Sequence, residues 1–361
     1  MFVPRTVFPD YRVLLAHYKG HQSKAIKRMG ELSPQINLVL ELRDSRCPIS
    51  SNNQILENIF RSKDRIIIYT KKDMFTIPKS LLNKWHEPRN EKFISIDTNR
   101  KSDVLNIIKL LKDYHNKLYP QPPLGLRLMI TGMPNVGKST LVNQLRKFGF
   151  NNNESFKKVA QTGNMPGVTR NTSEIIRISR EPEILLYDTP GVTLPHLNDI
   201  KTVLSLYLIG TLNHNEIDPI IAADYLLYIV NLSNNKSDKV FKKYLKTPTN
   251  DIYELLTAVS KKMKNAGKIG KNWKPNYLGS AITLIQEYRM GKLGKICMDE
   301  NVLRGISSEE FNDSIIEENT RIQGMLSEST NSTSKTSNKP SKPSKPSKRE
   351  RLVKQSNQLF V

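Results

Sequence analysis

The sequence predicts an α/β fold: a mostly parallel sheet with helices on both faces, then a smaller helical domain and a disordered basic tail. Three observations lead there. Short apolar runs alternate with segments of helical spacing, a glycine-rich phosphate-binding element sits between one such run and a helix, and the texture changes after about residue 200.

The expected strands are INLVLEL (36–42), IIIY (66–69), FISI (93–96), LRLMIT (126–131) and ILLY (184–187). They are apolar almost throughout, which suits strands buried on both faces of a parallel sheet. Between them, Val104, Ile107, Ile108 and Leu111 recur at helical spacing within the segment 104–118. YPQPPLG (119–125) cannot continue a helix and reads as a connector within the sheet or between two domains. Beyond residue 200, VLSLYLIG, IDPIIAADYLLYIVNL, DIYELLTAV and YLGSAITLIQEYRMGKLGK have helical spacing. From about Ser327 the chain turns to Ser, Lys and Pro, with too little apolar content to offset chain entropy. The expected divisions are an N-terminal segment 1–30, an α/β domain 31–198, a helical domain 199–315 and a tail 316–361.

The formal charge is +22, from 56 basic and 34 acidic residues. Eight of the basic residues lie in 331–361 against the single acid Glu350, so most of the excess belongs to the body. A basic body is an electrostatic footprint for nucleic acid or an anionic membrane. Cys47 and Cys297 have neither disulfide-framework nor zinc-site spacing. No apolar run reaches the length of a transmembrane helix. Residues 1–30 hold one acid, Asp10, among six Lys and Arg, a composition that suits an import signal.

Gly132-Met133-Pro134-Asn135-Val136-Gly137-Lys138-Ser139 matches G-x-x-x-x-G-K-[ST] between the strand LRLMIT and the helix-like LVNQLRKF. Glycines let the backbone wrap a phosphate so that its N–H groups and the helix N-terminus face the anionic oxygens. Asn135, Val136, Gly137 and Thr140 would line the phosphates, Lys138 would bridge the β- and γ-phosphates, and the Ser139 hydroxyl would bind Mg²⁺. Asp188-Thr189-Pro190-Gly191 follows EILLY as a D-x-x-G element: Asp188 would hold Mg²⁺ through water and the Gly191 N–H would sense the γ-phosphate. Between them, Met165 to Arg170 reads as a mobile loop in which Thr169 closes on Mg²⁺. Upstream, Thr70-Lys71-Lys72-Asp73 ends a strand, and the Asp73 carboxylate can accept from both the ring N–H and the exocyclic amine of guanine. Ser95 stands where a short Ser-Ala element would meet the guanine carbonyl.

With the base-reading elements ahead of the phosphate loop, the chain resembles a circularly permuted Ras-like P-loop GTPase of the YlqF/RbgA family, over residues 17 to 300. Further marks are Gly20-His21-Gln22-Ser23-Lys24-Ala25, similar to a GHMxKA loop, Asp44-Ser45-Arg46-Cys47-Pro48, similar to DARxP, and GKLGKICMDE, similar to a closing strand-like end. The resemblance implies GTP hydrolysis coupled to maturation of a large ribosomal subunit, with the helical domain on ribosomal RNA. The compact length is most similar to mitochondrial members, which implies the mitochondrial large subunit and its rRNA as partners. It also implies the matrix side of the inner membrane, with peripheral membrane contact; a monomer is expected.

Val192 follows D-x-x-G where Ras-like enzymes carry a water-orienting Gln, and an apolar side chain cannot do that work. The resemblance implies that His21 orients or activates the water, and that Asn135 helps hold K⁺ beside the β- and γ-phosphates of GTP or GDP. Thr70 stands in place of the usual Asn that ties the base loop to the phosphate loop; it keeps a donor and an acceptor but loses reach, so that tie is expected to weaken. Two other readings stay open from the residues alone: an RNA-binding scaffold without turnover, and an ATP-using P-loop enzyme.

Overall fold

The computed structural model describes residues 2–9, 11, 20–150, 175–193, 199–212, 217–233, 240–263 and 273–305. Thr169 and the whole tail lie outside them, as does the side chain of His21.

Among the described residues six strands form one sheet: β1 (Leu38–Asp44), β2 (Asp64–Thr70), β3 (Lys92–Ser95), β4 (Leu126–Gly132), β5 (Ile175–Arg180) and β6 (Glu183–Asp188). Their spatial order is β3-β2-β1-β4-β6-β5. β1 pairs in parallel with both β2 and β4, and β4 pairs in parallel with β6. The chain therefore steps outward from β1 to β3, returns to the centre at β4 and builds the other half. Where the order reverses, between β1 and β4, the loops leaving the carboxyl ends of the strands part and open a crevice. Asp44 and Gly132 end those two strands, so the fold itself puts the phosphate loop at the crevice.

β1 is buried along its whole length. Leu38, Leu40 and Leu42 join the main core and Val39 joins a second core on the opposite face, which is why the strand reads as unbroken apolar sequence. The second core is closed by α1 (Gly20–Leu32), whose Ala25, Met29 and Leu32 pack with Met129, Tyr187 and Val192. The GHxxKA-like segment, expected as a loop, is thus the first turn of a helix held by the sheet. α2 (Gln54–Ile59) is capped by Asn53, and α3 (Lys79–His86) follows β2. α4 (Lys101–Lys117) buries Val104, Ile107, Ile108 and Leu111, the positions its periodicity marks. α5 (Lys138–Gly149) starts directly from the phosphate loop.

β5 runs antiparallel to β6 at the sheet edge with a bulge between Arg177 and Ser179. Its sequence alternates exposed and buried positions, so it lacks the apolar run that marks the other strands.

The helical part comprises α6 (Ile200–Leu208), α7 (Pro219–Leu232), α8 (Ile252–Met263), α9 (Tyr277–Arg289) and the short α10 (Glu300–Gly305). Its apolar faces share one continuous core with the sheet. GKLGKICMDE is not a strand: Gly291 and Gly294 take positive φ angles of 72° and 89°, which turn the chain, and it then runs irregularly into α10. Residues 3–8, expected to belong to an import signal, pack on α7. Arg5 Nη2 lies 2.6 Å from Asp224 Oδ1, Phe8 is buried edge-on to Tyr225 at 5.1 Å, and the Tyr228 hydroxyl donates to the Thr6 carbonyl at 3.0 Å.

Candidate nucleotide-binding site

Three positive φ angles bend the phosphate loop: Gly132 at 138°, Asn135 at 60° and Gly137 at 101°. At Gly132 a Cβ would run into the Leu42 carbonyl oxygen, so the residue must be glycine for β1 and the loop to lie so close. Lys138 folds back over the loop, its Nζ donating to the carbonyls of Gly132 at 3.0 Å and Met133 at 2.7 Å. Burial pulls this ammonium down to about 8, against the opposing pull of Asp188. Ser139 and Thr140 stand in the first turn of α5, where the helix N-terminus favours anions.

Asp188 ends β6 beside β4, with Ile130 as its register partner. Its carboxyl is raised by burial, partly offset by Lys138 and the Thr189 amide, and Oδ1 has no hydrogen-bond partner among the described residues. A buried, unpartnered carboxylate oxygen next to a hydroxyl-bearing phosphate loop is what a hard divalent cation with oxygen ligands requires. The Thr189 hydroxyl donates to the Ile130 carbonyl at 2.6 Å and fixes the start of the D-x-x-G segment. Gly191 lies against the phosphate loop, where a Cβ would come 2.7 Å from Pro134 Cα. Val192 is fully buried, its amide donating to the Gly132 carbonyl at 3.4 Å and its carbonyl accepting from Asn53 Nδ2 at 2.7 Å. That position cannot orient water.

The elements expected to read the base lie against the phosphate loop. The Thr70 hydroxyl lies 2.6 Å from the Val136 carbonyl and 3.1 Å from that of Arg43. The expected loss of reach is therefore made up by a close approach of β2 to the loop. Lys71, at φ 57°, donates from Nζ to the Asn135 carbonyl at 2.9 Å and to Asp44 Oδ2 at 2.8 Å. Asp73 sits exposed in the turn closed by the Met74 amide on the Lys71 carbonyl, 2.9 Å. Ser95 ends β3 beside this turn: Ile96 donates to the Tyr69 carbonyl at 2.8 Å, and Lys72 to the Ile96 carbonyl at 3.1 Å. The Asn135 side chain donates from Nδ2 to the Gly210 carbonyl at 2.6 Å, which joins the loop to the turn after α6.

Residues 127–261 match the family model described as a 50S ribosome-binding GTPase. Over 330 residues the chain is 39% identical to the Saccharomyces cerevisiae protein named mitochondrial GTPase 1, with 86% of each chain covered. The chain belongs to the mitochondrial GTPase 1 family. An Aedes aegypti protein of that name is 31% identical over 82% of this chain and 98% of its own. The Xenopus tropicalis protein named mitochondrial ribosome-associated GTPase 1 is 28% identical over 79% of this chain and 94% of its own. A GNP-bound YlqF from T. maritima superposes with a TM-score of 0.48 at 19% identity, over 76% of this chain and 97% of its own.

As a mitochondrial GTPase 1 family member the chain is a mitochondrial GTPase of circularly permuted order that binds guanine nucleotide and hydrolyses GTP. Two side chains beside this site carry no motif signal of their own: Asn53, which donates to the Val192 carbonyl, and Thr193, whose hydroxyl donates to Gln22 Oε1 at 2.9 Å. Asp44, whose carboxylate accepts from Lys71 Nζ, is marked in the sequence only by the DARxP-like resemblance.

Proposed function

We propose that this GTPase is an assembly factor for the large subunit of the mitochondrial ribosome, working on the matrix side of the inner membrane as a monomer whose nucleotide state sets its grip on rRNA. The observation that carries the reading is the joining of one nucleotide crevice to a basic helical part through the phosphate loop itself. Asn135 bonds to Gly210, and the Thr211 hydroxyl donates to the Pro134 carbonyl at 3.2 Å. A change in the phosphate loop on loss of the γ-phosphate has a direct path to α6.

The helical part offers cations suited to an RNA backbone. Lys242, Lys243, Lys246, Lys261 and Lys262 are exposed, and Lys243 and Lys262 flank the Tyr244 ring at 4.7 and 5.3 Å from its centroid. No helix among the described residues is long and apolar enough to cross a membrane; the membrane contact in this reading is peripheral.

In the crevice, Asp73 and Ser95 read guanine, Thr70 and Lys71 tie that loop to the phosphate loop, and the Asn135 to Thr140 backbone holds the phosphates. Lys138 exchanges its carbonyl partners for β- and γ-phosphate oxygens. Ser139, Asp188 and Thr169 would hold Mg²⁺ and Asn135 would help hold K⁺, cations that neutralise charge developing between the β- and γ-phosphates. With Val192 locked in the core, water must be oriented from elsewhere, and His21 is the proposed group. Support comes from its neighbour Gln22, whose Oε1 accepts from the Thr193 hydroxyl at 2.9 Å, so the start of α1 adjoins the end of the D-x-x-G segment.

Cosedimentation of the full chain with mitochondrial large subunits in GTP, GDP and a non-hydrolysable GTP analogue tests the reading. Binding is expected with GTP and the analogue and to fall with GDP. An identical pattern in all three would refute the nucleotide switch.

A further inference from the structure

Asp44 closes β1 at the point where the strand order reverses, yet none of the nucleotide chemistry above uses its carboxylate. Two cations share that buried group. Oδ1 accepts from the Arg46 amide and from Arg46 Nε, each at 3.0 Å. Oδ2 accepts from Arg46 Nη2 and from Lys71 Nζ, each at 2.8 Å. Burial alone would raise this carboxyl; Arg46 and Lys71 more than offset it and hold it well below the usual carboxylate range. Lys71 uses a second proton on the Asn135 carbonyl, so Asp44 fixes a lysine that spans the base loop and the phosphate loop.

Arg46 leads the other way. Its guanidinium lies 5.4 Å from the centroid of the Tyr288 ring in α9, and its carbonyl accepts from the Met298 amide at 2.8 Å. Next to it, Asp299 accepts from the Ile49 and Ser50 amides at 2.8 Å each and from the Ser50 hydroxyl at 2.6 Å. Beyond the base loop, Phe75 and Ile77 pack in one cluster with Cys297 and Leu303. The segment 288–303 thus braces both the loop after β1 and the loop after β2.

We propose that Asp44 is a positioning residue for guanine recognition, acting through Lys71, and that Arg46 ties it to the segment 288–303, so that load on the helical part changes the rate at which guanine nucleotide leaves. This rests on the assignment of Lys71 to Asp73 as the base-reading loop. Without the carboxylate, Lys71 loses its anion, the left-handed turn at 57° loses a restraint, and Asp73 loses its fixed place opposite the base.

Release of a fluorescent GDP from the full chain, followed by stopped flow, tests this together with competition by GTP, XTP and ATP. Asp44→Asn is expected to release GDP about tenfold faster and to lose part of its preference for GTP over ATP, the loss of one charge-assisted hydrogen bond. Asp44→Asn/Arg46→Met, which removes the buried carboxylate together with the buried arginine it neutralises and leaves only the partly exposed Lys71 ammonium, is expected to release as fast. Tyr288→Leu is expected to speed release by itself but to add nothing in the Asp44→Asn background. Wild-type release in both Asp44 variants, or release rates that add for Asp44→Asn and Tyr288→Leu, would overturn the proposal. A merely structural role would lower the melting temperature and leave release and nucleotide preference unchanged. Asp73→Asn separates the two assignments: it is expected to move preference from GTP to XTP. No move would sink the base-loop assignment, whereas a move there with none in Asp44→Asn sinks this proposal alone.

Discussion

Thr70→Val keeps the shape of a side chain only 1% exposed and removes its hydroxyl. The hydroxyl has one proton and two carbonyls in reach, Val136 at 2.6 Å and Arg43 at 3.1 Å, so the shorter bond to the phosphate loop is the one chiefly lost. A buried hydrogen bond of this kind contributes about 1 kcal/mol net, and a carbonyl left without its donor adds to the cost. The total of about 1.4 kcal/mol corresponds to a factor of about ten in an equilibrium constant. How it divides depends on whether the bond holds the two loops in register for the nucleotide or only holds the fold together. If it sets register, GDP and GTP affinities, measured by titration calorimetry, fall about tenfold while the melting temperature of the nucleotide-free chain drops by only a few degrees. Thr70→Ser is expected to restore affinity, since it returns the donor. A Thr70→Val chain that binds GDP within twofold of wild type, with its melting temperature lowered, would refute the claim that threonine replaces the usual asparagine as the tie between base and phosphate.

Four more outcomes are expected. Because burial holds the Lys138 ammonium at about 8 against a reference of 10.5, the folded chain binds fewer protons than the unfolded one between those values, so this group's stability cost is complete below pH 8 and is relieved as pH rises toward 10.5. Nucleotide binding recharges the amine, so the apparent GTP Kd is expected to rise with pH above 8 in the wild type and to stay flat in Lys138→Arg. Turnover is expected to be higher in K⁺ than in Na⁺, and equal rates would remove Asn135 from cation binding. His21→Ala is expected to lower subunit-stimulated turnover by about a hundredfold with GTP affinity retained; wild-type stimulated turnover would remove it from the mechanism. Deleting residues 316–361 is expected to flatten the salt dependence of subunit binding, if the tail meets phosphates.

What could be read from the sequence followed from strong local constraints. The phosphate loop needs glycine at 132 and 137 for its backbone, and the parallel strands must be apolar on both faces, so both leave plain patterns. The edge strand β5 escaped because only one face is buried and its partner fixes it through the backbone. The end of the helical part escaped for a different reason: Met298 makes a single backbone bond to Arg46, a contact between residues far apart in sequence that no periodicity records. The Thr70 tie also lay beyond sequence. Side-chain length argued for a loss, but how near β2 comes to the phosphate loop is decided by packing of the whole sheet.

Permutation alters what the helical part can sense. In the sheet β4 stands centrally between β1 and β6. Among the described residues the element that follows the D-x-x-G segment is α6 and not a further strand. The helical part then returns to the crevice at two places, Gly210 and Thr211 on the phosphate loop and the segment 288–303 on the loops after β1 and β2. One contact stands at the phosphate loop and the other at the loops after β1 and β2 that are proposed to position the base. On the proposed reading, a partner that grips the helical part has separate handles on hydrolysis and on nucleotide release, and Asn135→Ala and Tyr288→Leu are the variants expected to part them.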